Sequence, residues 1–144
     1  CCGTTFAQPA TPRGALSVAY SPDGKRLVTS GRRQAVKILD AETGRELRLP
    51  NGDFGQAYTA VYSPDGLWLA AADQNGVIKL LNTLTGGQKF LRQNQSGMIL
   101  SLAFSPDGQT LASGNFDGTV RVWSVAFGQE LAVFRDHSKR VKSV

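Results

Sequence analysis

Few residues in this chain have the types and spacing that chemistry requires. His137 is the only histidine, and no serine and aspartate stand in the order of a nucleophile–base–orienter set around it. The sequence contains no "GxSxG" elbow and no glycine-rich phosphate loop. Cys1 and Cys2 are the only cysteines; they are adjacent, lack CxxC spacing, and leave no third thiol for a zinc site or a disulfide framework. Asp23, Asp65 and Asp107 recur in register, each inside "SPDG". A catalytic carboxylate has no need of a copy in every repeat, whereas a turn does. The expectation is therefore no catalytic residue, no metal and no cofactor.

The same four letters start at Ser21, Ser63 and Ser105, 42 residues apart each time. At that offset the chain divides without gaps into residues 13–54, 55–96 and 97–138, with 139–144 ("KRVKSV") as the first strand of a further unit and 1–12 ending a preceding one or forming a linker. Each unit has four short apolar runs. The first, "LSVAY", "YTAVY" or "LSLAF", is apolar or small on both sides, as a strand covered on both faces must be. "SPDG" then reverses the chain, with Pro presetting φ and Gly taking the positive-φ position. A second run follows, then the alternating "AVKILD", "VIKLLN" or "TVRVWS", a turn at Gly44, Gly86 or Gly128, and a fourth run. No 3.6-residue stripe is long enough for a helix. Each unit reads as a four-stranded antiparallel meander, and stacking such sheets about an axis buries faces that no single sheet can bury. "DFG" at 53–55 matches the kinase magnesium triplet by letters alone. It falls between units and is read as chance.

"SPDGQTLASGNFDGTVRVWSVAFGQELAVFRDH" in the third unit resembles the WD-repeat β-propeller family, and the resemblance extends over 13–144. It implies an all-β fold: a partial β-propeller, three four-stranded antiparallel blades in an open arc, part of a larger toroid that in the family commonly has seven blades. It also implies a hydrogen-bonded strut of Ser113, Asp117 and Trp123, with His137 serving a fourth blade. The third blade has Gln95 at the His position. The first blade has Thr29, Arg33 and Leu39 at the strut positions and the second has Ala71, Asn75 and Leu81, so both depart from the pattern.

In the family, the turns between second and third strands and the links between blades lie on one face, commonly the binding face. Carried over, that face holds Arg13, Arg32, Arg33, Gln34, Phe54, Gln74, Asn75, Met98, Asn115, Phe116, Lys139 and Arg140. Phe116 fits a partner anchor and fits inward packing equally; Trp68 is read as filling a gap between blades. Lys37, Lys79 and Arg121 share one third-strand position, which reads as an exposed strand face. The resemblance implies a non-enzymatic scaffold for a protein or peptide.

Charge argues in the same direction. The net +5 divides into +3 over 13–54, +1 over 55–96, −2 over 97–138 and +3 over the last six residues. That is not the continuous basic track that nucleic acid requires, so no specific nucleic-acid partner is expected. Arg32 and Arg33 keep open an alternative in which a propeller binds a phosphoinositide or another polyanion. Further alternatives are a catalytic propeller and a sensor domain of a larger ATPase or kinase chain. No apolar run reaches the roughly 18 residues of a membrane span. The chain starts without Met and reads as an excerpt or processed product; Cys1 would also suit a lipidated lipoprotein terminus. The lack of a disulfide framework favours a reducing compartment, and a cytoplasmic setting is expected. Uncovered end sheets should make the isolated chain aggregate or oligomerise.

Overall fold

The computed structural model describes residues 15–31, 34–48, 54–92, 97–135 and 139–144. Among these residues twelve strands form three antiparallel sheets in an open arc, a partial propeller. The first sheet runs β1 (Ala15–Tyr20), β2 (Arg26–Gly31), β3 (Gln34–Asp40), β4 (Glu46–Leu47). The second runs β5 (Thr59–Tyr62), β6 (Trp68–Ala72), β7 (Val77–Asn82), β8 (Gln88–Arg92). The third runs β9 (Ile99–Phe104), β10 (Thr110–Asn115), β11 (Val120–Ser124), β12 (Glu130–Phe134). In every sheet the strands pair in chain order, so each sheet is a meander. The first strands β1, β5 and β9 lie side by side at the inner edge of the arc.

The "SPDG" turns explain why the first two strands of each sheet meet. Ser21 Oγ donates to Asp23 Oδ1 at 2.6 Å, and Ser63 and Ser105 donate to Asp65 and Asp107 at 2.5 Å. The same serine oxygens accept the N–H of Arg26, Trp68 and Thr110, closing the first rung of each hairpin. Gly108 sits at φ 70°, where a side chain would be strained. These serine–aspartate pairs build the turns. The serine hydroxyl, then a backbone N–H, lowers the pKa of each of the three aspartates below its ordinary 3.8. A carboxylate with a lowered folded-state pKa stabilises fully above its unfolded value, and the contribution is lost as pH falls through the folded value. The urea midpoint should therefore decline below about pH 4. Replacing all three aspartates by asparagine should flatten that limb; an unchanged acid limb would show that the turns do not carry it.

Each sheet has a forward face toward the next sheet and a rear face toward the previous one, fixed by strand alternation. Val28, Val36 and Ile38 of the first forward face pack on Ala60, Leu69 and Ala71 of the second rear face, with Ala19 and Tyr62 alongside. Ala70, Ala72, Ile78 and Leu80 of the second forward face pack on Leu102, Leu111 and Trp123 of the third rear face, with Val61 and Phe104 alongside. Trp68 packs partly buried against this second cluster, which places it between blades. Each fully buried leucine contributes about 1.5–3 kcal/mol, so these two seams hold the arc together.

Residues 139–144, read above as the first strand of a further blade, form no strand here. One backbone hydrogen bond, Val141 N–H to Asn115 O at 3.0 Å, ties them to the third sheet. Val141 crosses so close to Gly114 that a Cβ there would lie 2.9 Å from its methyl carbon and 2.5 Å from Ser101 Oγ. Gly114, with no side chain, leaves the room that this crossing needs.

Candidate functional site

In the second and third blades the turns between second and third strands are built from their own side chains. In the second blade, Asp73 Oδ1 accepts the N–H of Asn75 and Val77, leaving Gln74 and Asn75 exposed at the tip. In the third blade, Asp117 Oδ1 accepts Thr119 N–H at 2.9 Å and Thr119 Oγ1 at 2.6 Å. Burial alone would raise the Asp117 pKa. The bonds from Thr119, with Arg121 and Arg135 nearby, outweigh it and hold the carboxyl below 3.8. Phe116 N–H donates to Met98 O at 2.8 Å, which ties the turn to the link before the third blade.

Asn115 does not belong to an accessible face. Its side chain is fully buried, and Nδ2 donates to Thr119 O and Thr119 Oγ1, both at 3.0 Å. It closes the turn from inside because it ends β10 on the covered side, and it is removed from the candidate surface. Phe116, the next residue, is 52% exposed. The Arg140 guanidinium carbon lies 5.8 Å from its ring centre, a cation–π distance. Lys139 and Arg140 are exposed, Met98 and Phe54 half-buried. The structure thus brings Phe116, Met98, Lys139 and Arg140 to one edge, with Gln74 and Asn75 on the neighbouring blade's tip. Arg13, Arg32, Arg33 and His137 fall outside the described residues, as does the side chain of Gln34.

Beneath this edge, the Trp123 indole N–H donates to Ser113 Oγ at 3.1 Å across β10 and β11. Asp117 bonds within its own turn. In the other blades the Trp123 position holds Leu39 and Leu81, and Leu81 is fully buried, so packing replaces the hydrogen bond.

Arg121 differs from the sequence expectation. It is 3% exposed, not on an open face. Its position lies on the rear face, which in the third sheet is covered by the second. Nη1 donates to Glu130 Oε2 at 2.8 Å, and Nη2 stands 3.9 Å from Asp117 Oδ2 with no hydrogen-bond partner. Lys37, on the uncovered rear face of the first sheet, is exposed and pairs with Glu46 at 3.3 Å. One further repeated feature escaped the sequence reading. Asp40, Asn82 and Ser124 end each third strand, and their side-chain oxygens accept N–H groups of the following turn. Their 42-residue spacing was the available signal.

Among the described residues, no three of His, Cys, Asp and Glu gather as a metal site would require. No helix among them is long and apolar enough to cross a membrane.

The family model of the WD domain, G-beta repeat, matches residues 2–40 and 87–124, just over half of the sequence. The chain belongs to the WD40 repeat family. Among solved structures it is similar to the WD40 repeats of RRP9, with TM-score 0.79, 21% identity and coverage of 91% of this chain and 42% of that one. It is similar also to U3-55K, with TM-score 0.78, 22% identity and coverage of 91% and 43%. At these identities the likeness carries the fold alone, and this WD40 chain spans about two fifths of the length of either structure. No curated protein matches the sequence. The cytoplasmic expectation is corrected: it rested on cysteine usage, and neither RRP9 nor U3-55K is a cytoplasmic protein.

Proposed function

We propose that this WD40 chain is a non-enzymatic scaffold that holds a protein or peptide on its loop edge. Its units are residues 13–54, 55–96 and 97–138, with 139–144 leading into a further blade; 1–12 end a preceding blade or form a linker. The remaining blades of a larger propeller are its first partners. The observation that carries the reading is Phe116: a half-exposed aromatic on a turn whose backbone is fixed by Asn115, Asp117, Thr119 and Met98. Large side chains held rigid at low entropy cost are what interface hot spots consist of. Gln74, Asn75, Lys139 and Arg140 supply the mixed polar surround that such an anchor needs.

The exposed Lys139 and Arg140 favour a second reading, a polyanion or phosphoinositide site, for which the sequence also offers Arg32 and Arg33. The two readings part on salt. A partner captured by the wild-type chain is titrated against Phe116→Ala and against Arg32→Ala with Arg33→Ala, at low and physiological salt. Phe116→Ala should weaken binding about tenfold or more at both salts, and the arginine pair should matter only at low salt. Capture that vanishes with the arginines and ignores Phe116 would replace the protein-scaffold reading with the polyanion one.

A further inference from the structure

Among the described residues, a side-chain carbonyl carbon and a following glycine nitrogen stand one bond short of a five-membered ring at Asp23–Gly24, Asp65–Gly66, Asp107–Gly108, Asp117–Gly118 and Asn75–Gly76. Glycine has no Cβ to crowd such a closure. At the four Asp–Gly steps the turn ties both reacting ends. The glycine N–H groups donate to the carbonyl oxygens of Ser21, Ser63, Ser105 and Asn115 at 2.9, 2.9, 2.8 and 3.2 Å. The carboxylates accept the hydroxyls of Ser21, Ser63, Ser105 and Thr119. The same bonds help to keep these carboxyls ionised, and a carboxylate anion is a poor acceptor of a nucleophile.

Asn75 differs at both ends. Gly76 has the same kind of turn geometry, with φ 78°, yet its N–H donates to none of the described residues. Position 77, the equivalent of Thr119, is valine, which has no hydroxyl to hold the Asn75 side chain. Asp73 Oδ1 accepts Asn75 N–H at 2.8 Å and Val77 N–H at 2.9 Å. These bonds hold the turn on either side and skip the peptide group between 75 and 76. Asn75 itself is exposed at the tip, where water reaches it. Its amide is neutral and has ammonia as a leaving group.

We propose that Asn75 is a site of self-modification, converted to aspartate and isoaspartate through a cyclic imide. Gly76 N forms a bond to Asn75 Cγ, the Cγ–Nδ2 bond breaks, and ammonia leaves with the proton that Gly76 N gives up. Water then opens the imide. Attack at Cγ gives aspartate; attack at the Asn75 main-chain carbonyl carbon gives isoaspartate, with the chain routed through the side chain. Water enters and ammonia leaves, and nothing is oxidised or reduced. Either product puts a new carboxylate on the loop edge beside Gln74. The aspartate is what the third blade already has: Asp117 stands at that register position, 3.9 Å from Arg121 four residues on, as Lys79 is four residues on from Asn75. This chemistry belongs to the turn and is independent of whether the edge holds a partner.

The test is peptide mapping by mass spectrometry of the 144-residue chain, incubated at mildly alkaline pH in heavy-oxygen water, folded and in guanidinium chloride. Each imide opened by water writes a heavy oxygen at its own step, so all five steps are read together. Denaturant should speed the four Asp–Gly steps about tenfold or more, because each must first open locally, and Asn75–Gly76 by less than about threefold. Asn75→Gln keeps an amide but needs a six-membered ring, and position 75 should then take up no label in the folded chain. Denaturant that speeds Asn75–Gly76 as much as the Asp–Gly steps would overturn the proposal. So would a folded chain that takes up no heavy oxygen at 75. Labelling of Asn75→Gln at the wild-type rate would also overturn it, since the amide would then be hydrolysed directly and not through the imide.

Discussion

Trp123→Ala is expected to cost about 3–5 kcal/mol of stability, the range for deleting a large aromatic from a packed core. Trp123 is 2% exposed and sits in the seam between the second and third sheets. Its removal empties space bounded by β10 and the forward face of the second sheet, and it strips Ser113 Oγ of its indole donor. Ser113→Ala isolates the hydrogen bond and should cost only about 1 kcal/mol. The comparison is a urea titration followed by far-UV circular dichroism. Equal losses for the two variants would mean that the hydrogen bond, not the packing, is what Trp123 supplies.

Glu130→Ala should be the second most damaging change, at about 2–3 kcal/mol. The loss does not measure the worth of an ion pair. It measures the cost of a guanidinium left 3% exposed with Asp117 3.9 Å away as its remaining counter-charge. Removing the charge itself should be milder. Arg121→Met keeps much of the buried stem and leaves Glu130 and Asp117, both partly exposed to water. The double variant should therefore be more stable than Glu130→Ala alone, and a double-mutant cycle reads the coupling directly. If Arg121→Met proves the worse of the two single variants, the pair is a net stabiliser and the burial argument fails.

The strands and their pairing were legible in the sequence because two local signals agree at every 42-residue step: the "SPDG" turn and period-2 apolar runs. The burial of Arg121 was not legible, because three basic residues at one register position read as solvent contact. Whether that face is covered depends on whether a sheet precedes it, and among the described residues one precedes only the second and third blades. Lys37 and Arg121 have the same register and opposite surroundings for that reason. Asn115 misled in another way. It lies at a turn by sequence, but it is the last residue of β10, and its short amide is spent on the turn's own carbonyl and hydroxyl. Phe116, one residue on, lies on the open side of the same turn, and sequence left its two readings balanced until its exposure was known.

The central claim is that repeat register and coverage by a neighbouring sheet together decide which residues meet solvent. Thiol labelling at high dilution tests it most directly. Cysteine is placed in turn at Val18, Ala60 and Leu102, one register position in three blades, with Cys1 and Cys2 replaced by serine. The account predicts fast labelling at 18 and strong protection at 60 and 102. Similar rates at all three positions would contradict it.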